Sequence, residues 1–505
     1  MTVACPEQGP RAALFLNAKY NELAALLFIL AGGAILRFYA LGTESFWFDE
    51  AYSVWVARHS VSWHIALSTQ RIFPPLYYLL LHFWLALGDS EFMVRSLSVC
   101  IGLLSIVLVY VLSKRLFNER VGLIGAFLVA ISPLHIWYSQ EARMYILVAA
   151  LGLCSAYFML LALQEGKAWH WLAYVLSTAM ALNAHYFAIF FIPFQNAYVL
   201  YLHWPVFDRV PGRQRARPCV WKHWLLSQAA IGLLSVVGLA GIFSHESGYW
   251  WGLLDTWHGA PTWRDLASVL FSFGLGTTVE GSRPLYIGGL FLFGLCAAWS
   301  LIEVKGRHVQ LELDDGLVFS LLYLFVPLGA VFLVSQFRSF WVLRYIFPFL
   351  PPYCIIVARG IARMPGRVLP LLMTFTILLA SAWPIANAYR YEQKENWRAA
   401  VQYISAQEQA GDLILLVDED IWLPFEHYYR GSARRMGVSR VITDRALLAA
   451  RVGMALPGYS RIWLVLSHTD NLALKEYLKT SRYTRLVSEK QFTQVEVDLF
   501  AVSNR

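Results

Sequence analysis

The sequence predicts a polytopic α-helical membrane protein that ends in a small α/β domain, and three observations carry that expectation. Of 505 residues 58% are hydrophobic and 15% charged, with a mean hydropathy of +0.50, which is too apolar for a water-soluble globule. The 20 Trp and 26 Tyr are the residue types enriched where lipid meets water. From about Arg390 the hydrophobicity falls, and strand-like runs alternate with helical stretches, the pattern of a domain outside the bilayer.

A hydrocarbon core of about 30 Å needs about 20 apolar residues per helix. Spans are therefore expected near 22 to 41, 92 to 113, 121 to 138, 145 to 164, 168 to 185, 186 to 203, 224 to 243, 284 to 303, 316 to 335, 345 to 361 and 368 to 388, eleven in all. Arg11 and Lys19 precede the first, which has no convincing small-residue cleavage site and is expected to be retained. Between Pro75 and Gly88 the segment "PPLYYLLLHFWLALGDSE" offers only about twelve apolar residues, suited to an interfacial or re-entrant helix. Pro75 fits its first turn, and Gly88 fits its C-terminal cap.

Charge placement supports that count. With a cytoplasmic N-terminus and no crossing by the Pro75 segment, Lys114, Arg115, Arg120, Lys167, Arg209, Arg213, Arg215, Arg217, Lys222, Lys305, Arg307, Arg359, Arg363 and Arg367 lie inside. The opposite loops then hold eight basic residues, among them Arg58, Arg95, Arg264 and Arg283. Were the segment to cross, the run "RVPGRQRARP" would face out, against the preference of basic loops for the cytoplasm. The C-terminus is thus expected outside, in the cell membrane's extracytoplasmic space. The net charge of +8 is accounted for by these loops without invoking nucleic acid.

The six cysteines form no CxxC and none falls in the last 150 residues, so neither disulfides nor a Cys-bound zinc is expected. Two domains follow: a membrane part, 1 to 389, and a tail, 390 to 505. In the tail "DLILLV", "RIWLVLS" and "VEVDLFAV" read as strands, while "ENWRAAVQYISAQEQ", "TDRALLAARV" and "NLALKEYLKT" read as helices. It has no Gly-rich phosphate loop after a strand, and no nucleotide is assigned to it.

In the first outward loop the stretch "SFWFDEAYSVWVARHS" sets Asp49 and Glu50 among Trp47, Phe48, Tyr52 and Trp55. With Asp49 at a helix start, Tyr52, Trp55 and Val56 share one face. Spacing leaves two readings open: Asp49 caps the helix and Glu50 is solvated, or the pair carries chemistry.

Several stretches together resemble the dolichyl-phosphate-mannose protein mannosyltransferase-like group of bacterial membrane glycosyltransferases, which includes the aminoarabinose transferases, in the GT-C superfamily. They are "FWFDEAYS" (46 to 53), "FPPLYYLLLHFWLALGDSEFMVRSLS" (73 to 98) and "SPLHIWYSQEARMYILVA" (132 to 149), with weaker echoes in "NAHYFAI", "LRYIFPFLP" and "KENWRAAVQYI". The resemblance implies a GT-C fold and transfer of one sugar, usually with inversion, from a polyprenyl-phosphate donor to an acceptor protein, lipid or glycan at the outer face. It gives Asp49 the general-base role and Glu50 a supporting one. A hydroxyl acceptor must lose its proton as it attacks, and a carboxylate within reach supplies about 10² to 10⁴ of rate.

The leaving lipid phosphate needs Arg, Lys or a metal. Candidates for binding it are Arg71, Arg143 with nearby Glu141, Arg338, and Arg344 with Tyr345. The bland alternative for each arginine is snorkelling to phospholipid head groups. His185 in "NAHYF" is a further binding candidate, while His82, His245 and His258 are weaker, since a lone histidine on an apolar face is more often a core residue than a ligand. Aminoarabinose transferases carry Glu-Lys before the first proline of the interfacial helix, where this chain has Ile72-Phe73. That departure puts in doubt a metal site or phosphate lysine there and makes Arg71 a candidate substitute; a divalent metal is possible and not required by the sequence.

A transporter would place ionisable groups at mid-bilayer and show repeated halves, and neither is evident. A sensor with the tail as ligand module would leave Asp49 and Glu50 unexplained.

Overall fold

The computed structural model describes residues 9–70, 74–204, 220–240, 259–278, 283–305, 308–338, 340–417, 421–439, 442–453, 456–467 and 472–503. Arg71, His245 and His258 lie outside them. Two compact units divide the chain: Met1–Tyr39, Ser60–Phe83 and Arg95–Asn387 form the first, and Ala40–His59, Trp84–Val94 and Ala388–Arg505 the second.

The first unit is helical. Among the described residues six helical stretches are long and apolar enough to cross a membrane: Lys19–Phe38, Glu91–Leu116, Tyr145–Glu165, Asp315–Ser335, Leu343–Arg363 and Val368–Arg390. Helices Ala168–Ala184 and Phe191–His203, of 17 and 13 residues, occupy two further expected spans, and Val220–Leu234 and Arg283–Trp299 two more. The Pro75 segment forms helix Leu76–Trp84, followed by a 3₁₀ turn at Leu85–Leu87 and by Gly88 at φ 141°. A short two-stranded hairpin, β1 (Ile302–Lys305) and β2 (His308–Leu311), was not foreseen.

One expected straight span is broken. In place of a single helix over 121 to 138, Glu119–Ala130 and Pro133–Ser139 meet at a bend of 63°. Pro133 has no N–H and forces Ser132 into extended backbone, where its Oγ caps the second segment by accepting from His135 N at 3.3 Å. The carbonyls left open at the end of the first segment are met by Arg37, which is fully buried. Its guanidinium donates to Val129 O (3.0 Å), Ala130 O (2.9 Å), Gly33 O (3.1 Å) and Ser139 Oγ (3.2 Å), and to His135 Nδ1 at 2.8 Å. A cation at the negative end of a helix dipole is favourably placed. Gly102 makes room for this node, since a Cβ there would come within 2.3 Å of Ser139 Oγ.

Polar side chains also tie helices together away from water. Tyr174 donates to Gln195 Oε1 (2.8 Å), Gln195 to Ser155 Oγ (2.8 Å) and Gln228 to Tyr174 OH (2.9 Å), a network that joins four helices where apolar packing alone has little to separate protein from lipid.

The second unit is built on a mixed five-stranded sheet of β3 (Asp412–Val417), β4 (Arg434–Val438), β5 (Arg461–Ser467), β6 (Thr484–Phe492) and β7 (Val495–Val502), in the order β4-β3-β5-β7-β6. β3 runs parallel to β4 and β5, while β7 runs antiparallel to β5 and β6. Alternate residues of β3 face opposite cores. Ile414 and Leu416 join Trp397, Val401 and Trp463 on one face, and Leu413 and Leu415 join Leu464, Leu474 and Phe500 on the other. Burial on both faces explains why "DLILLV" is apolar throughout. Strands β5 and β7 lie where their sequence runs predict. β4, with exposed arginines, and β6, with alternating polar residues, lack such runs.

Two charged clusters hold the sheet. Arg461 grips Asp412 with both arms, Nε to Oδ1 at 2.9 Å and Nη2 to Oδ2 at 2.6 Å, and the Trp463 indole donates to Oδ2 at 2.9 Å. Burial acts against the Asp412 charge, but these donors outweigh it and hold the carboxyl below its usual range. Lys475 stands among Glu489 (3.0 Å), Asp498 (3.1 Å) and Glu496, so these three carboxylates have a cation of the protein's own. Burial pushes the Asp498 carboxyl up to about 6, with Lys475 opposing and Glu496 and Glu489 reinforcing. A raised folded-state pKa gives stability that is complete below the unfolded value of about 3.9 and lost as pH rises through about 6. Asp498→Asn is therefore expected to raise the melting temperature of the purified protein by roughly 2–4 °C at pH 8 and to leave it unchanged below pH 4. No gain at pH 8 would show that Lys475 fully offsets the buried charge.

Candidate active site

The carboxylate pair lies on a helix of ten residues, Phe48–Ala57, in the second unit. Trp47 is its N-cap, in extended backbone and without a side-chain cap bond, so Asp49 and Glu50 both fall inside the first turn. The capping reading is thereby corrected. Both charges favour the positive end of the helix dipole, but their settings differ, because neighbours on a helix point about 100° apart. Asp49 keeps partial exposure while Glu50 has none, which also excludes a solvated Glu50. Its Oε1 lies 3.2 Å from Lys394 Nζ, itself 8% exposed.

Other residues of the same unit fix the approach to this helix. Ser45 Oγ donates to Glu395 O at 2.6 Å, and Phe46 N donates to Tyr428 OH at 2.7 Å. The Tyr428 hydroxyl donates in turn to Glu91 Oε1 at 2.7 Å, and Arg398 bonds both Glu91 and Thr43 O. Burial and the Glu91 charge raise the Tyr428 phenol above its usual range, so it stays a donor. Trp55 meets Trp422 edge to face at 6.1 Å, and Phe46 meets His427 at 4.9 Å. A polar cleft of about 220 Å³ opens among Thr43, Glu44, Glu392, Lys394, Asn396 and Arg398.

In the first unit the remaining described candidates converge on a ring of aromatics. His185 ends helix Ala168–Ala184 in extended backbone, and its Nδ1 accepts from Phe187 N at 3.2 Å, which leaves Nε2 to carry the ring proton. Its ring is 5.3 Å from Tyr345 and 5.8 Å from Tyr145. The Arg344 guanidinium lies 5.4 Å from the centre of the Tyr345 ring, and that of Arg143 lies 5.8 Å from the centre of Tyr145. Arg143 also donates to Tyr78 OH at 3.4 Å, and the Trp137 indole donates to Glu141 at 3.2 Å. Two guanidiniums sheltered among phenols make a setting in which a phosphate would be held strongly. Arg338 is exposed and stands apart in character.

Sequence reasoning did not identify Lys394, Glu91, Arg398 and Tyr428 as partners of the first loop. The signal was present in "KENWR", a charged stretch around a tryptophan that the structure buries completely.

Apolar helices followed by a small sheet domain make a fold shared with solved membrane glycosyltransferases. The chain is similar in fold to ArnT from Cupriavidus metallidurans bound to undecaprenyl phosphate, at 13% identity and a TM-score of 0.60 over 94% of this chain and 97% of that one. It is also similar to the archaeal oligosaccharyltransferase AglB from Archaeoglobus fulgidus in complex with an inhibitory peptide and a dolichol-phosphate, at 13% identity and a TM-score of 0.54 over 97% and 74%. Residues 73–212 match the dolichyl-phosphate-mannose-protein mannosyltransferase family, which bears out the resemblance read from sequence. No curated protein sequence matches the chain.

Proposed function

We propose that the protein moves a single sugar from a polyprenyl-phosphate donor to an acceptor hydroxyl with inversion, and that Asp49 is the general base. The observation that carries this reading is the different treatment of two adjacent carboxylates: Glu50 is buried against Lys394, while Asp49 retains partial exposure. A side chain that is to take a proton from an incoming hydroxyl has to be reachable and ionised.

In this reading Arg143 and Arg344 neutralise the phosphate that departs with the lipid, with His185, Tyr345 and Glu141 shaping the site. The fold resemblance to a protein bound to undecaprenyl phosphate supports a lipid-linked donor. Residues 1–389 form the catalytic membrane part and 390–505 a domain outside the cytoplasm, with eleven crossings and a cytoplasmic N-terminus. Transport and sensing are disfavoured because they give the carboxylate pair no task.

Asp49→Asn keeps shape and removes the base. Transfer from a panel of radiolabelled undecaprenyl-phosphate sugars into membrane extract is expected to fall by about 10² to 10⁴ at an unchanged melting temperature; a wild-type rate would overturn the base assignment. Arg143→Gln and Arg344→Gln are each expected to weaken donor use by about 10-fold, with Lys restoring it only in part because the planar fork is lost. Wild-type donor kinetics in both Gln variants would return the arginines to packing roles. A reporter fused after Arg217 should read cytoplasmic and one after Arg505 external; a common side for both would refute the crossing number.

A further inference from the structure

We propose that Lys394 is a positioning residue for sugar transfer: through its ion pair with Glu50 it sets where Asp49 stands, so the tail belongs to the catalytic apparatus. This rests on the reading of Asp49 as base.

The carboxylate helix cannot hold itself in place. At ten residues it is shorter than the about 12–15 that an isolated helix needs to be even marginally stable. Its orientation must come from packing. Rotation about its own axis is the freedom that matters, because a turn of a few tens of degrees moves a first-turn carboxylate by ångströms.

Glu50 removes that freedom. Its carboxylate has no exposed surface, and a buried charge is tolerated only where a counter-charge and hydrogen bonds meet it. Lys394 meets it at 3.2 Å. With Glu50 fixed inward, Asp49 is fixed about 100° around the helix.

The rest of "KENWR" stops the ammonium from drifting. Glu395 receives Ser45 Oγ on its carbonyl at 2.6 Å and takes the Trp397 indole on its carboxylate. Asn396 caps the following helix, Trp397–Ser405, by accepting from Ala399 N at 3.1 Å. Arg398 ties the same turn to Glu91 and to Thr43 O. Lys394 thus bonds the carboxylate helix, Glu395 and Arg398 bond the loop that leads into it, and Tyr428 holds the Phe46 amide at 2.7 Å. An appended module would not need these contacts with the carboxylate helix and the loop before it.

The test separates rate from folding. Lys394→Gln is expected to lower kcat by about 10- to 100-fold with donor KM unchanged, using whichever undecaprenyl-phosphate sugar the wild-type protein accepts. Lys394→Arg, which keeps the charge, should recover most of that loss. The double variant Lys394→Gln with Glu50→Gln removes both charges of the pair together, so it is expected to melt like the wild type yet stay slow. A wild-type kcat in the double variant, or a kcat loss in Lys394→Gln that merely follows its loss of folded protein and is restored with folding in the double, would overturn the proposal. An Asp49→Asn variant assayed beside them distinguishes the failures: full activity there removes the base, whereas an inactive Asp49→Asn with an active double variant removes only the positioning role.

Discussion

A charge withdrawn from water has to be answered inside the protein, and much of this structure follows from how the chain answers the charges it buries. Arg37 is met by helix-end carbonyls, Ser139 and His135. Arg359 is met by Asp314 at 2.6 Å, and the same carboxylate caps the helix Asp315–Ser335. In the second unit Lys394 meets Glu50, Arg461 meets Asp412 and Lys475 meets three acids. Such pairs add little net stability over apolar packing. Their effect is on geometry, since each tolerates only a narrow range of placements of the elements that carry its partners.

The two carboxylates of the first loop show how sequence neighbours acquire separate properties. Asp49 and Glu50 share a helix turn and a dipole, and they differ in what lies 100° apart around the axis. One has a buried cation against it and the other partial access to solvent. A lone acid at position 49 would have no inward anchor, and a lone acid at position 50 would have no route to a reactant.

Much of this was legible from residues alone. The six long apolar helices lie where length and hydropathy placed spans, and β3, β5 and β7 followed from their apolar runs. The break at Pro133 was missed because a window that averages apolar residues passes over one proline, although Ser132-Pro133 is a local stop and restart. β4 and β6 were missed because one of each strand's faces is open to water, which leaves a mixed pattern. For the site, Asp49, Glu50, Arg143, His185, Arg344 and Tyr345 were named from motif positions, while the gathering of the last four around one set of aromatics was not foreseen. The partners of the pair were not named, because Lys394 and Tyr428 lie 344 and 382 residues from the groups they contact, and no local spacing reports a pairing of that range.

That separation bears on how the protein is made. Helix Phe48–Ala57 leaves the ribosome early, while the residues that hold it come from the last quarter of the chain. Contacts of such range are slow to form, because a long loop must close before they repay the entropy. The chain's membrane helices, built from local hydrogen bonds, can form as they are synthesised, but the carboxylate helix has to wait for residues 394 to 428. A nascent chain that has not yet reached them carries the acid residues without their setting.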